Sequence, residues 1–419
     1  MINRDRLLER FLRYVVIATT SDPDADGYPS SAGQWELGKL LVDELVAMGL
    51  AESCQDDHGL VWATLESNST TAVPAIAWNA HLDTSPETSG ENVKPQVVKD
   101  YSGGDLQLPG NPEAVIRVAE NPELNQLLGC TLVTTDGTTL LGADDKAGIA
   151  IIMEAVASLL ENPEIVHGRI QVLFTCDEEI GHGVDFVDMD RLAAVAAYTV
   201  DGGQASEIDV ETFSADLATV TIRGVNIHPS IARDRMVNAM RAAGCFLDRL
   251  PREMAPETTA GRDGFIHPYS MVGGVAEVTI QLILRDFETD QLAVQQELLR
   301  SLSEQVSQEF PGITIDVTVI SQYRNMAKGL SREPRAIAYA QQAHERLGRV
   351  ARMTTVRGGT DGSQLTEKGL PTPNLSSGQH NPHSPLEWAC LDEMVQAVEV
   401  LVELAQVWAG SSVQPDEND

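Results

Sequence analysis

Along the first fifty residues, apolar positions recur at helical spacing. Leu7, Leu8, Phe11, Leu12 and Val15 form one stripe with charges between them, which predicts an amphipathic helix. A second helix is expected before residue 50, after the polar turn SDPDADGYPSS. From about Leu60 the texture changes to short apolar runs alternating with helical stretches. LVWATL, AIAWNAHL, IQVLFTC and AAVAAYTV are close to continuously apolar. Strands covered on both faces read this way, so the pattern predicts an α/β fold with a mostly parallel sheet between helices. GIAIIMEAVASLLEN follows GADDKA as a helix and ends before Pro163.

Near Asp216 the pattern changes again. LATVTIRGVNI alternates, RMVNAMRAAGCFLDRL is helical, and GGVAEVTIQLILRDF supplies one or two strands. DQLAVQQELLRSLSEQVSQEF is helical and ITIDVTVI is a strand. A β-α-β-β-α-β order is the ferredoxin-like pattern. Residues 214–324 are therefore expected to form an α+β domain inserted into a discontinuous one made of 1–213 and 325–410. The segment 411–419, SSVQPDEND, reads as a disordered tail.

Charge narrows the possible partners. Asp and Glu total 62 against 29 Lys and Arg, a formal charge of -33. Such a surface repels nucleic acid and anionic membranes. No apolar run approaches the ~20 residues of a membrane span. The charged N-terminal helix is not a signal peptide. Cys54, Cys130, Cys176, Cys245 and Cys390 form no CxxC pair, which argues against a disulfide framework or a cysteine zinc knuckle and favours a cytoplasmic setting. Cys176 reads as a buried strand residue with no basic partner to activate it.

The candidate chemistry collects where apolar strands end. His81 and Asp83 stand two apart after AIAWNA, so they share a face, and Asp83 can hold the second ring nitrogen of His81. Asp144 and Asp145 sit before a helix, able either to cap it or to bridge two cations. Asp177, Glu178 and Glu179 follow IQVLFTC directly, and one of the glutamates can bind metal while the other acts as general base. Asp201 ends another apolar run before Gly202 and Gly203. His380 and His383 lie in NLSSGQHNPHSPLEW, with Glu387 four residues after His383. Each motif alone also fits a strand end, a cap or a solvated loop. Together they form a mixed nitrogen and oxygen donor set at the carboxyl ends of strands, where open α/β sheets bind ligands. That set suits zinc, with cobalt or manganese as substitutes. No HExxH, G-x-S-x-G or P-loop lysine motif is present.

HLDTSPETSGENVKPQVV, YSGGDL, TTDGTTLLGADDKAGIAIIM, DEEIGHG, YTVDGG, VNIHPS, MVNAM, LILRDF and RGGTDGSQL span nearly the whole chain. Their combination resembles the M20 metallopeptidase family, and within it the tripeptide aminopeptidases. The resemblance implies a zinc-peptidase catalytic domain, an inserted ferredoxin-like lid and two zinc ions per chain. His81 and Asp201 would hold one ion, Glu179 and His383 the other, and Asp144 would bridge them. Asp144 is preferred over Asp145 by its spacing to Lys146, and His383 over His380 by its spacing to Glu387. Asp83 would orient His81, and Glu178 would be the base. His228, Asn238, Arg285 and Arg357 would bind substrate. Short peptides are the implied partners, and the resemblance leaves a homodimer open. Other M20 reactions (dipeptidase, carboxypeptidase, N-acyl-amino-acid deacylase) share the metal site, and a peptide-binding protein with a vestigial site is the non-enzymatic alternative.

Overall fold

A computed structural model describes residues 2–410, so the tail expected at 411–419 lies outside the described residues. Both N-terminal helices form, Arg4–Val15 and Ala32–Ala47. In the first, Leu7, Phe11, Tyr14 and Val15 are buried.

The chain divides into two compact units. One contains the residues up to Val210, Met326–Thr355 and those from Thr360 onward; the other contains Glu211–Asn325 and Val356–Gly359.

The first unit is built on an eight-stranded sheet. At its centre, Ile170–Thr175, Ile76–His81, Ala196–Gly202 and Asn374–Ser376 pair in that order, all parallel. Every residue of Ile76–His81 and of Ile170–Thr175 is buried, as continuous apolar strands require. On the flanks the pairing turns antiparallel: Val61–Leu65 joins Ile170–Thr175, and Glu207–Thr212 joins Asn374–Ser376. The parallel arrangement expected from the sequence therefore holds for the four central strands, and the sheet as a whole is mixed.

Helix Ala143–Glu161 packs on the sheet with nearly all of its residues buried. It approaches closely because of Gly148, where a Cβ would stand 2.0 Å from the Val200 carbonyl oxygen. A small sheet of Gln379–His380, Trp388–Cys390, Leu132–Thr134 and Gln96–Val98 covers its own apolar cluster, centred on Tyr101, Leu124 and Trp388. No helix among the described residues is long and apolar enough to cross a membrane.

The second unit runs strand Ser214–Arg223, helix Ala239–Asp248, strands Phe265–Gly273 and Glu277–Asp286, helix Thr289–Glu309 and strand Thr314–Tyr323. These four strands form one antiparallel sheet, and the order is β-α-β-β-α-β. GGVAEVTIQLILRDF supplies only Glu277–Asp286. Its hairpin partner comes earlier, from FIHPYSMVG, whose Pro268 suits the edge position it occupies.

Candidate metal centre

Parallel register brings the functional strand ends level. His81 lies opposite Thr175, and Asn79 opposite Thr199, so His81, Asp201 and the residues after Thr175 emerge at one edge of the sheet. His81 Nε2 is 2.9 Å from Asp144 Oδ1 and 3.8 Å from Asp201 Oδ1. On the other side of Asp144, His383 Nε2 is 3.4 Å from Asp144 Oδ2 and 2.9 Å from Glu179 Oε2. Each trio, His81–Asp144–Asp201 and Asp144–Glu179–His383, offers ligand atoms within 4.8 Å of one another. Asp144 presents one oxygen to each.

Two further carboxylates fix this geometry through backbone N–H groups. Asp83 accepts from Glu178 N at 3.0 Å and Glu179 N at 3.1 Å, which holds the turn after Ile170–Thr175. Its carbonyl oxygen is 3.1 Å from His81 Nδ1 and its carboxylate 3.4 Å, so Asp83 also sets that ring's orientation. Glu387 accepts from the N–H groups of Leu141, Gly142 and Asp144 at 2.7, 2.8 and 3.0 Å. The loop that carries His383 is thereby fastened to the loop that carries Asp144. In sequence, Glu387 served only as a spacing marker. A buried acid four residues after a candidate ligand was the available signal for this bracing role.

Adjacent acids have separated roles. Asp145 turns inward, accepting from His81 N at 3.3 Å and Gly148 N at 3.1 Å, so it caps the helix. Asp177 accepts from Ser30 and Gln34. The Glu178 carboxyl group, by contrast, has no hydrogen-bond partner among the described residues. His380 lies apart from both trios: it stacks on Trp388 and stands 2.7 Å from Glu393.

The electrostatics are those of a site short of positive charge. Burial and then the Asp144 charge push Glu179 up to about 7. Burial, then Asp144, likewise raises Asp201 well above the carboxylate range. Burial is also the largest cause for Glu178, reinforced by Asp361, Asp201 and Glu179. Burial would lower His383, but hydrogen bonds to Asp144 and Glu179 outweigh it and raise the imidazole to about 11. Asp144 is held well below its usual range despite burial, by the hydrogen bonds and charge of both histidines. In this arrangement the imidazolium protons compensate the carboxylates, which is the work a cation does in a metal site. Glu179 Oε1 is buried with no partner. A buried carboxylate with one oxygen orphaned, grouped with an imidazole and a further acid, fits a divalent ion bound by nitrogen and oxygen.

The four residues expected to contact substrate lie in the second unit. His228 Nδ1 is 2.7 Å from Ser230 Oγ. Asn238 Oδ1 accepts from Met240 N and caps helix Ala239–Asp248. Arg285 donates to Gln322 and to the Leu284 carbonyl, with its guanidinium over Tyr323. Arg357 donates to the Gly261 carbonyl and Thr259, over Phe213 and Phe265. Cys176 is buried, directly after the strand Ile170–Thr175 and not within it, and burial raises its thiol well above the usual range, which disfavours the reactive thiolate.

Residues 132–407 match the family model for peptidase family M20/M25/M40. Peptidase T of Geobacillus thermodenitrificans is 43% identical over 405 residues, covering 97% of this chain and 98% of that protein. Peptidase T of Bacillus subtilis is 42% identical over 403 residues, covering 96% and 98%. Among solved structures, aminopeptidase PepT from Bacillus cereus superposes with a TM-score of 0.75 at 25% identity, covering 97% of this chain and 99% of that one. A dinuclear metal-binding M20 peptidase from Bacillus subtilis shares the fold, with a TM-score of 0.64 at 15% identity over 96% and 98% of the two chains. The chain belongs to peptidase family M20/M25/M40.

Proposed function

We propose that this peptidase is a two-metal tripeptide aminopeptidase. The observation that carries the reading is Asp144 set between two ligand trios, with the unengaged Glu178 beside them. Its relatives named peptidase T, and the aminopeptidase from Bacillus cereus, supply the substrate class.

His81 and Asp201 would hold one ion, Glu179 and His383 the other, and Asp144 both; zinc suits the donors, with cobalt or manganese as substitutes. If bound there, two such ions would supply Lewis acidity to the site. Glu178 takes the water's proton and returns it to the departing amine. Asp83 keeps base and ligand in register, because it grips the backbone of Glu178 and Glu179 together. Arg285 and Arg357 carry planar forks that match a peptide carboxylate, and His228 and Asn238 offer polar contacts to the peptide backbone.

Glu178→Gln tests the assignment. The variant is expected to retain its metal, by elemental analysis, and to hydrolyse a free tripeptide about 10²–10⁴-fold more slowly. Undiminished turnover would remove Glu178 as the base. N-blocked tripeptides should be cleaved far more slowly than free ones; equal rates would contradict aminopeptidase action.

A further inference from the structure

Outside the metal centre, the fold brings together two cysteines that are distant in sequence. Cys130 precedes strand Leu132–Thr134, and Cys390 ends its antiparallel partner Trp388–Cys390. The two thiol sulfurs and a carboxylate oxygen of Asp392 all lie within 4.8 Å of one another. Cys390 is fully buried, while Cys130 is half-buried. The two cysteines form no CxxC motif; strand pairing brings them together instead.

The surroundings are built to hold these groups in place. The Leu391 N–H donates to the Thr131 carbonyl at 2.9 Å, and the Thr131 N–H donates to Asp392 Oδ2 at 2.8 Å. The Cys390 N–H donates to the Gly378 carbonyl, and the Tyr101 N–H to the Cys130 carbonyl, each at 2.9 Å. Arg4 forms a bidentate pair with Asp392, at 2.6 and 2.8 Å, and its charge also acts on both cysteines. Two thiolates and a carboxylate around a divalent cation leave one surplus negative charge. Arg4 neutralises it.

We propose that Cys130, Cys390 and Asp392 form a binding site for one thiophilic divalent cation, of the zinc or cadmium type, separate from the two-metal centre. Two sulfurs and one oxygen suit such an ion, and water can complete a tetrahedron from the half-exposed Cys130 side. Binding forms two metal–sulfur bonds and releases two thiol protons to solvent. The ion would staple together two strands that lead to and from the metal-centre loops: Leu132–Thr134 runs toward Asp144, and Trp388–Cys390 follows Glu387.

Cadmium is the probe, because its thiolate complexes absorb in the near ultraviolet. The reduced, chelator-treated full chain is titrated with Cd²⁺ alone. Wild type is expected to develop a sulfur-to-cadmium band that saturates at one thiolate-bound ion per chain. Cys130→Ser and Cys390→Ser should each abolish the saturating band, and Asp392→Asn should weaken binding. Cys54, Cys176 and Cys245 are internal controls, since none joins a candidate ligand group among the described residues. Cys130→Ser is the decisive variant, because its site lies at the half-exposed rim and the substitution leaves the core intact. Absence of the band in wild type, or its persistence in Cys130→Ser, would overturn the proposal. A tripeptidase assay on the zinc-loaded Cys130→Ser protein is expected to match wild type, which keeps this result independent of the reading of the catalytic centre.

Discussion

The two ligand trios share Asp144 but are built in opposite ways. His81 and Asp201 stand on adjacent strands of one sheet, and the side chain of His81 is only 3% exposed. Glu179 and His383 stand on turns. His383 takes a left-handed backbone conformation, at φ 62°, and its side chain is 35% exposed. Sheet register positions His81 and Asp201 directly. The second depends on two bracing carboxylates, Asp83 and Glu387, that tie its loops to that sheet edge. A strand-held site costs little to preorganise, whereas a loop-held site must order its ligands on binding. The first trio should therefore bind its ion more tightly and release it more slowly.

The largest expected effect comes from removing what the trios share. Asp144→Ala should lose both ions by elemental analysis and reduce tripeptide hydrolysis to background; full retention of one ion would show that the trios are independent. Chelation of wild type should then proceed in two phases, with activity lost in the faster one. A single phase would erase the distinction between strand-held and loop-held ligands. Next come the braces. Glu387→Gln should weaken the His383-side ion by about 10–100-fold and the His81-side ion less, because Glu387 braces the shared Asp144 as well as the His383 loop, while Asp83→Asn should weaken both; competition against a chromogenic chelator measures each. Equal losses at both sites in Glu387→Gln would break the comparison. The smallest effect is expected from Thr88→Val. Thr88 Oγ1 donates to the His383 carbonyl at 2.6 Å, and loss of one such bond is worth roughly 1 kcal/mol, about fivefold in affinity for the loop-held ion.

The same contrast explains what was legible in the sequence. The central strands were readable because burial on both faces demands continuous apolar runs, and ligands at their ends follow from parallel pairing. The edge strand Phe265–Gly273 was not, because an exposed strand containing proline carries no continuous apolar signal. Asp144 and Asp145 offered the same chemistry one residue apart, so capping and metal binding stayed open on spacing alone. In the fold they part: Asp144 faces His81 and His383, while Asp145 turns inward to the backbone of His81 and Gly148. His380 and His383 could not be separated by composition either. Only folding shows that His380 is enclosed by Trp388 and Glu393 while His383 faces Glu179. The cysteine pair was invisible because strand pairing, not local spacing, creates it.

Strand Asn374–Ser376 lies between Ala196–Gly202 and Glu207–Thr212 in the sheet. During synthesis, about 160 residues emerge between the second of those neighbours and the strand that fills the gap. At ~5–20 residues per second the ribosome holds the sheet open for several seconds or more. The segment between contains nearly all of the second unit, which can collapse around its own apolar cluster while the gap persists. His383 and Glu387 appear later still. The emerging chain therefore carries its acidic cluster without the second histidine until well after the second unit has been made, and the two candidate ligand trios are completed only when the His383 loop follows.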